Sequence, residues 1–259
     1  MSTANRRQFM AEVGRGMLVA SVGSSLALDL GLAPLQAAEE TSRVTFGNLD
    51  PLVDLLQATP VDKLLPQVIG KLKAGTSLKD LTAAAALANA RAFAGEDYIG
   101  FHTLMALGPA LGMAAELPAE QAALPVLKVL YRNTDQIQKT GGPAAEKLKP
   151  LAVDSTFRPE GNAVAAQAIA DAVHRGDRHV AEQWLAQSTA KSAEQGLNDL
   201  LPVVEESTDV HRVVLIHRAW DMLKIVGPEH LRGNRPLLLA HIASGRSAPE
   251  CQSTRPLTD

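Results

Sequence analysis

Ser77-Leu78-Lys79-Asp80-Leu81-Thr82-Ala83-Ala84-Ala85-Ala86-Leu87-Ala88-Asn89-Ala90-Arg91-Ala92-Phe93 decides the fold class. Alanine is the strongest helix former. Ser77 followed three residues later by Asp80 resembles a capping box, with Asp in place of Glu. The stretch therefore predicts a helix running to about Phe93. Working outward, the same punctuation recurs. Asp50-Pro51 and Thr59-Pro60 each set a capping residue before a proline at the first helical position. Apolar helices are predicted over 98–116 and 118–138. Thr140-Gly141-Gly142-Pro143 then breaks the chain, and 143–158 reads as a connector with a short helix. Further helices are predicted over 160–174, 177–188, 190–203, 208–226 and 228–244. Gly176-Asp177 and Gly227-Pro228 supply the turns, caps and stops.

Val44-Thr45-Phe46 is the sole β-leaning triplet, and no stretch alternates with period two long enough to build a sheet. The expected fold is all-α, a multi-helix bundle or short stack of helical hairpins with eight to ten helices. No fixed-period repeat supports a named repeat architecture. The expected organisation is a signal peptide over 1–37, an extended leader over 38–47 and one helical domain over 48–244. Within that domain, subdomains 48–139 and 159–244 are joined by a connector at 140–158. A mobile tail is expected over 245–259.

Composition narrows the function classes. Apolar residues make up 46% and charged residues 20% of the 259, which suits a folded globular chain. The net charge of −3 and the 3% aromatic content give no footprint for nucleic acid. Cys251 is the single cysteine. It excludes an intramolecular disulfide, a four-thiolate zinc site, a Cys-ligated iron–sulfur cluster and a Cys-x-x-Cys-His haem attachment. Gly-x-Ser-x-Gly, His-Glu-x-x-His, the Walker loop and Gly-x-Gly-x-x-Gly are all missing.

The N-terminus reads as an address. Arg6 and Arg7 in Asn5-Arg6-Arg7-Gln8-Phe9-Met10 resemble the twin-arginine export signal. A weakly apolar stretch follows from Gly16 to Leu35, too short and too polar to span a bilayer stably. Leu35-Gln36-Ala37 then offers a small-residue cleavage site. The expected destination is the bacterial periplasm, reached through the twin-arginine machinery. No stable transmembrane segment is expected in the mature chain.

Chemistry, if present, rests on seven histidines: His102, His174, His179, His211, His217, His230 and His241. His102 lies in an almost wholly apolar helix, where burial would require a partner for each ring nitrogen. It reads either as a core histidine bonded to backbone or as a ligand. On the 208–226 wheel, Val213, Leu215, Ile216, Ala219, Trp220, Met222, Leu223 and Val226 share one face. Arg212 falls inside that face and His211 at its edge. Either Arg212 meets an anion or a carboxylate beside His211, or its stem lies on the core while its head reaches water. His217 and Asp221 read as a solvated pair, and His174 and His179 as surface residues. Gly108-Pro109-Ala110-Leu111-Gly112 reads as a packing kink.

The segment 97–138, with Gly100, His102 and Gln138, resembles a stretch of uncharacterised bacterial proteins that often carry export signals. The likeness continues over 163–243, through Asp171, Trp184, Val210-His211-Arg212, His230 and Arg235. A more distant likeness extends to the questin-oxidase-like helical proteins. The resemblance implies that His102, His211 and His230 belong to one site. The first functional reading is an exported helical protein with a histidine-based metal or cofactor site, potentially an oxidoreductase. In it, a transition metal is held by His102, His211 and His230, with His211 and Arg212 as the reacting or anion-binding pair. The alternative is a non-catalytic helical scaffold that binds a protein partner. A third reading is a carrier of a small apolar ligand, drawn from the Ala/Leu-rich interiors of 81–93 and 104–115.

Overall fold

Alanine-rich sequence builds the centre of the molecule. In the computed structural model of the protein, residues 43–95, 97–148, 157, 164–205 and 210–227 are described, without the side chains of 210–212 and 215. The expected signal segment, the 228–244 helix and the tail lie outside these residues. Nine α-helices follow in order. They are α1 (Asp50–Ala58), α2 (Val61–Lys73), α3 (Leu78–Phe93), α4 (Tyr98–Glu116), α5 (Leu124–Lys139), α6 (Ala165–His174), α7 (Arg178–Lys191), α8 (Ala193–Glu205) and α9 (Val210–Val226). Short 3-10 turns stand at Gly47–Leu49 and Gly142–Ala145. The all-α expectation holds, and no strand occurs among the described residues.

α3 is the axis. From Leu81 to Ala94 every residue is buried, and the helix packs against α1, α4, α5 and α9. Ala side chains let four neighbours approach one helix, because each adds only a methyl to the interhelical distance. Ser77 caps α3 as expected: its Oγ accepts from the Asp80 N–H at 3.0 Å and donates to Asp80 Oδ2 at 2.7 Å. The helix ends with Ala94 in the left-handed region (φ 50°), followed by Gly95. α6, α7 and α8 pack on one another, and α8 also meets α9. One core cluster includes Leu56, Leu87 and Leu130 of the first half with Leu185, Leu200 and Met222 of the second.

Several boundaries differ from the sequence reading; the helices expected over 177–188 and 190–203 span Arg178–Lys191 and Ala193–Glu205. α1 begins at Asp50 itself, with Leu49 at the cap position. The Asp50 carboxylate instead turns back to accept the Phe46 N–H at 2.9 Å. Pro60, not Thr59, occupies the cap position of α2. The predicted 118–138 helix starts only at Leu124, because the Pro118 carbonyl accepts from Gln121 and Ala122 and closes a separate turn. Within the expected leader, Val44 and Phe46 are buried and belong to the core.

Candidate functional site

The buried polar residues come first, because burial without a partner costs about 1–3 kcal/mol each. Arg91 lies on α3, 1% exposed. Its guanidinium meets Asp50 Oδ1 at 2.5 Å, Asp54 Oδ1 at 2.8 Å and Gln57 Oε1 at 3.0 Å, all from α1. The Phe46 ring stacks beneath it, 4.7 Å from ring centroid to guanidinium carbon. The Arg91 carbonyl accepts the N–H groups of Lys147 and Leu148 at 3.1 Å, which fastens the connector to the core. Arg91 Nε and Gln57 Nε2 are buried and have no hydrogen-bond partner among the described residues.

Two residues earlier on α3, Asn89 Nδ2 donates to the Gly100 carbonyl and to Asn133 Oδ1, each at 2.7 Å. Asn133 Nδ2 donates to the Ala85 carbonyl at 3.2 Å, and Thr103 Oγ lies 2.9 Å from Asn133 Oδ1. Thr134 donates to the Leu56 carbonyl at 2.9 Å, and the Gln138 amide donates to the Gln57 carbonyl. Asp97 caps α4 by accepting the Gly100 N–H at 2.6 Å, and it also accepts from Gln136 of α5. Apart from the Asp97 cap on Gly100, which stays within α4, each bond ties two of α1, α3, α4 and α5 together. These residues are spent on holding the helices, and among them Gly100 and Gln138 are residues of the bacterial resemblance. The sequence reading missed this network. Its signal was present: Arg91 is a cation inside an alanine run, and such a group needs carboxylates.

The predicted histidine site divides. His102 is only half-buried. Its Nδ1 lies 2.7 Å from the Tyr98 carbonyl, and its ring sits edge-on to Tyr98 (4.4 Å) and Phe101 (5.3 Å). It is therefore bonded to backbone as one reading expected, but it is not a core residue. The buried side of α4 is taken by Gly100, Thr103, Leu104, Leu107, Ala110 and Ala114, on the opposite side of the wheel. His211 and Arg212 stand in the first turn of α9, which packs on α3 and α4. Their side chains, and all of His230 and His241, lie outside the described residues. Among the described residues no group of three or more His, Cys, Asp or Glu is placed to hold a metal. His217 pairs with Asp221 at 3.5 Å on an exposed face, and His174 and His179 are exposed, as read from sequence.

What remains is the outer face of α4. At about 100° per residue, Tyr98, His102, Met105, Ala106, Pro109, Gly112, Met113 and Glu116 fall within about 60° of Pro109. Tyr98 is 51% exposed and Met113 54%, and Ile99 beside them is 44%. The helix runs unbroken through Pro109, since the missing N–H lies on the outer side where no packing depends on it. A Cβ at Gly108 would meet Met222 of α9 at 3.3 Å, while one at Gly112 would meet nothing within 4 Å. α4 is long and apolar enough to cross a membrane by length and composition, and one third of it is buried against the other helices.

No family model, curated protein or solved structure matches the chain.

Proposed function

We propose that this chain is an exported helical protein that binds an apolar partner through the outer face of α4 and carries out no chemistry of its own. The observation that carries the reading is the exposed apolar stripe from Tyr98 to Met113 on a helix whose other side is bolted down by Asn89, Thr103 and Asp97. A contiguous apolar surface with a rigid backing is the usual form of an interaction site. Arg6, Arg7 and the cleavage site near Ala37 support export. The sequence support for a metal reading was the histidines; of these, His102 bonds the Tyr98 carbonyl and His217 pairs with Asp221.

The test places a photo-activatable residue at position 113 or, as a control, at Lys128 on α5, in a bacterium with a twin-arginine pathway. Adducts from 113 and none from 128 are expected. Their absence at 113, or a transition metal at one per chain in purified protein, would overturn the reading. A metal result would return weight to His102, His211 and His230. Replacing Arg6 and Arg7 by Lys should leave the full-length precursor in the cytoplasm; normal export of that variant contradicts the address.

A further inference from the structure

Charge is spread unevenly along this chain. The stretch 61–80, which holds α2, the turn after it and the start of α3, carries Lys63, Lys71, Lys73 and Lys79 against Asp62 and Asp80. α5, against which α2 packs, carries Lys128, Arg132 and Lys139 against Asp135. That is seven cations against three carboxylates, an excess of four. The chain as a whole has a net charge of −3, so the remaining residues together carry −7. Six of the ten lysines stand in these two stretches.

α2 lies at the surface and buries only Leu64 and Val68. At about 100° per residue, Lys63, Pro66, Gly70 and Lys73 fall within about 40° of the point opposite Val68. The space above Gly70 is open, because a Cβ there would meet no atom within 4 Å. Lys63, Lys71, Lys73, Lys79 and Lys128 are exposed. None of the five makes an ion pair among the described residues, whereas Arg132 and Lys139 share Asp135. Lys71 and Lys73 stand in the last turn of α2, where a cation suits the helix dipole. Lys63 stands in the first turn, where a cation opposes it, so helix stability does not account for it. Ile69 is 39% exposed among these lysines, and Leu124 and Tyr131 are exposed on α5.

The kind of cation selects the occupant. Protein interfaces favour Arg and are depleted in Lys. Nucleic-acid recognition uses Arg forks and aromatic stacking, and 61–80 holds neither an Arg nor an aromatic ring. Ammonium groups on flexible stems suit a fluid array of anionic headgroups, which offers charge without fixed geometry. We propose that α2 docks this protein on an anionic membrane surface, with Lys63, Lys71, Lys73 and Lys79 toward the headgroups and the α5 cations beside them. The contact is superficial, because the apolar side of α2 stays in the core. It is independent of what α4 binds. In the crosslinking test, lipid adducts at position 128 would agree with docking, and protein adducts there would not.

Sedimentation of the full chain with lipid vesicles tests it. Vesicles of phosphatidylcholine with about 30% phosphatidylglycerol should bind the protein at about 0.1 M salt. They should release it at about 1 M, where the Debye length falls from about 10 Å to about 3 Å. Vesicles of phosphatidylcholine alone should bind at least about tenfold less. Each lysine near the headgroups contributes about fivefold, so Lys63→Gln, Lys71→Gln and Lys73→Gln together should weaken binding about a hundredfold. Arg175→Gln, Lys191→Gln and Lys224→Gln remove the same charge from the second half and should change it by less than about threefold. Arg6 and Arg7 are present in every variant, so their own attraction to lipid is common to all. Circular dichroism checks that each variant keeps its helices, as exposed positions should. Failure to bind anionic vesicles, or equal losses in the two triple variants, overturns the docking. Equal binding to neutral vesicles would assign the contact to the apolar face of α4 and overturns it too. Tighter binding to single-stranded DNA than to vesicles, lost in the α2 variant, would assign the lysines to nucleic acid instead.

Discussion

α3 and α4 are packed neighbours with opposite fates. α3 is buried on every side, yet it carries Asn89 and Arg91, two of the most polar side chains in the core. α4 is the more apolar helix, yet it leaves Tyr98, Ile99 and Met113 outside. Total hydrophobicity therefore does not decide which helix is central. Side-chain size and the placement of partners do. Alanines let four helices crowd around α3, and Asn89 and two guanidinium nitrogens of Arg91 have acceptors on neighbouring helices. α4 buries Gly100, Thr103, Leu104, Leu107, Ala110 and Ala114 against its neighbours, while Tyr98 and Met113 on its other side stay about half exposed. The inner helix specifies the fold, and the outer one keeps an exposed apolar face.

The largest break in this contrast should come from Arg91. Arg91→Met removes the guanidinium from Asp50 and Gln57 and should cost about 3 kcal/mol in urea unfolding, toward the low end for a buried pair. The figure is held down because Asp54 is 47% exposed and can hydrate. Unfolding unchanged within about 0.5 kcal/mol would mean that the cluster is incidental. Next, Asn133→Ala should cost about 2 kcal/mol by removing the buried Oδ1 that Asn89 Nδ2 and Thr103 Oγ share, although Asn89 keeps the Gly100 carbonyl. A cycle with Asn89→Ala should show coupling of about 1 kcal/mol or more, and additive losses would contradict the network. Gly100→Ala is a steric test of the α3–α4 contact. A Cβ there would run into the Phe93 ring, so a loss of about 1–3 kcal/mol is expected. Wild-type stability would show that the ring swings away freely. The smallest effect belongs to the outer face. Met113→Glu should change the stability of the monomer by less than about 0.5 kcal/mol, since the side chain leaves no cavity.

Much of the fold was legible because its signals are local. The capping serine at Ser77, the alanine run behind it, and the turns at Gly176 and Gly227 each announce themselves within a few residues. The 98–116 helix was found with its observed ends. Boundaries failed where a distant partner intervened: the Asp50 carboxylate serves Phe46 and Arg91 rather than capping from outside α1. The candidate site was less legible for the same reason. A wheel shows that α4 has two faces, but both are apolar, and only the packing of α3, α5 and α9 tells which one is inside. His102 looked like a core residue because its neighbours in sequence are apolar. The identity of the face turned outward depends on residues such as Asn89 and Met222, far away along the chain.

The most direct measurement of the outer face is methionine oxidation by dilute peroxide, read residue by residue in the mass spectrometer. Met222 is 1% exposed and Met113 lies on the stripe, so one protein holds both the control and the probe. At low protein concentration Met113 should oxidise much faster than Met222. Equal protection of both residues at low concentration would place Met113 inside the fold.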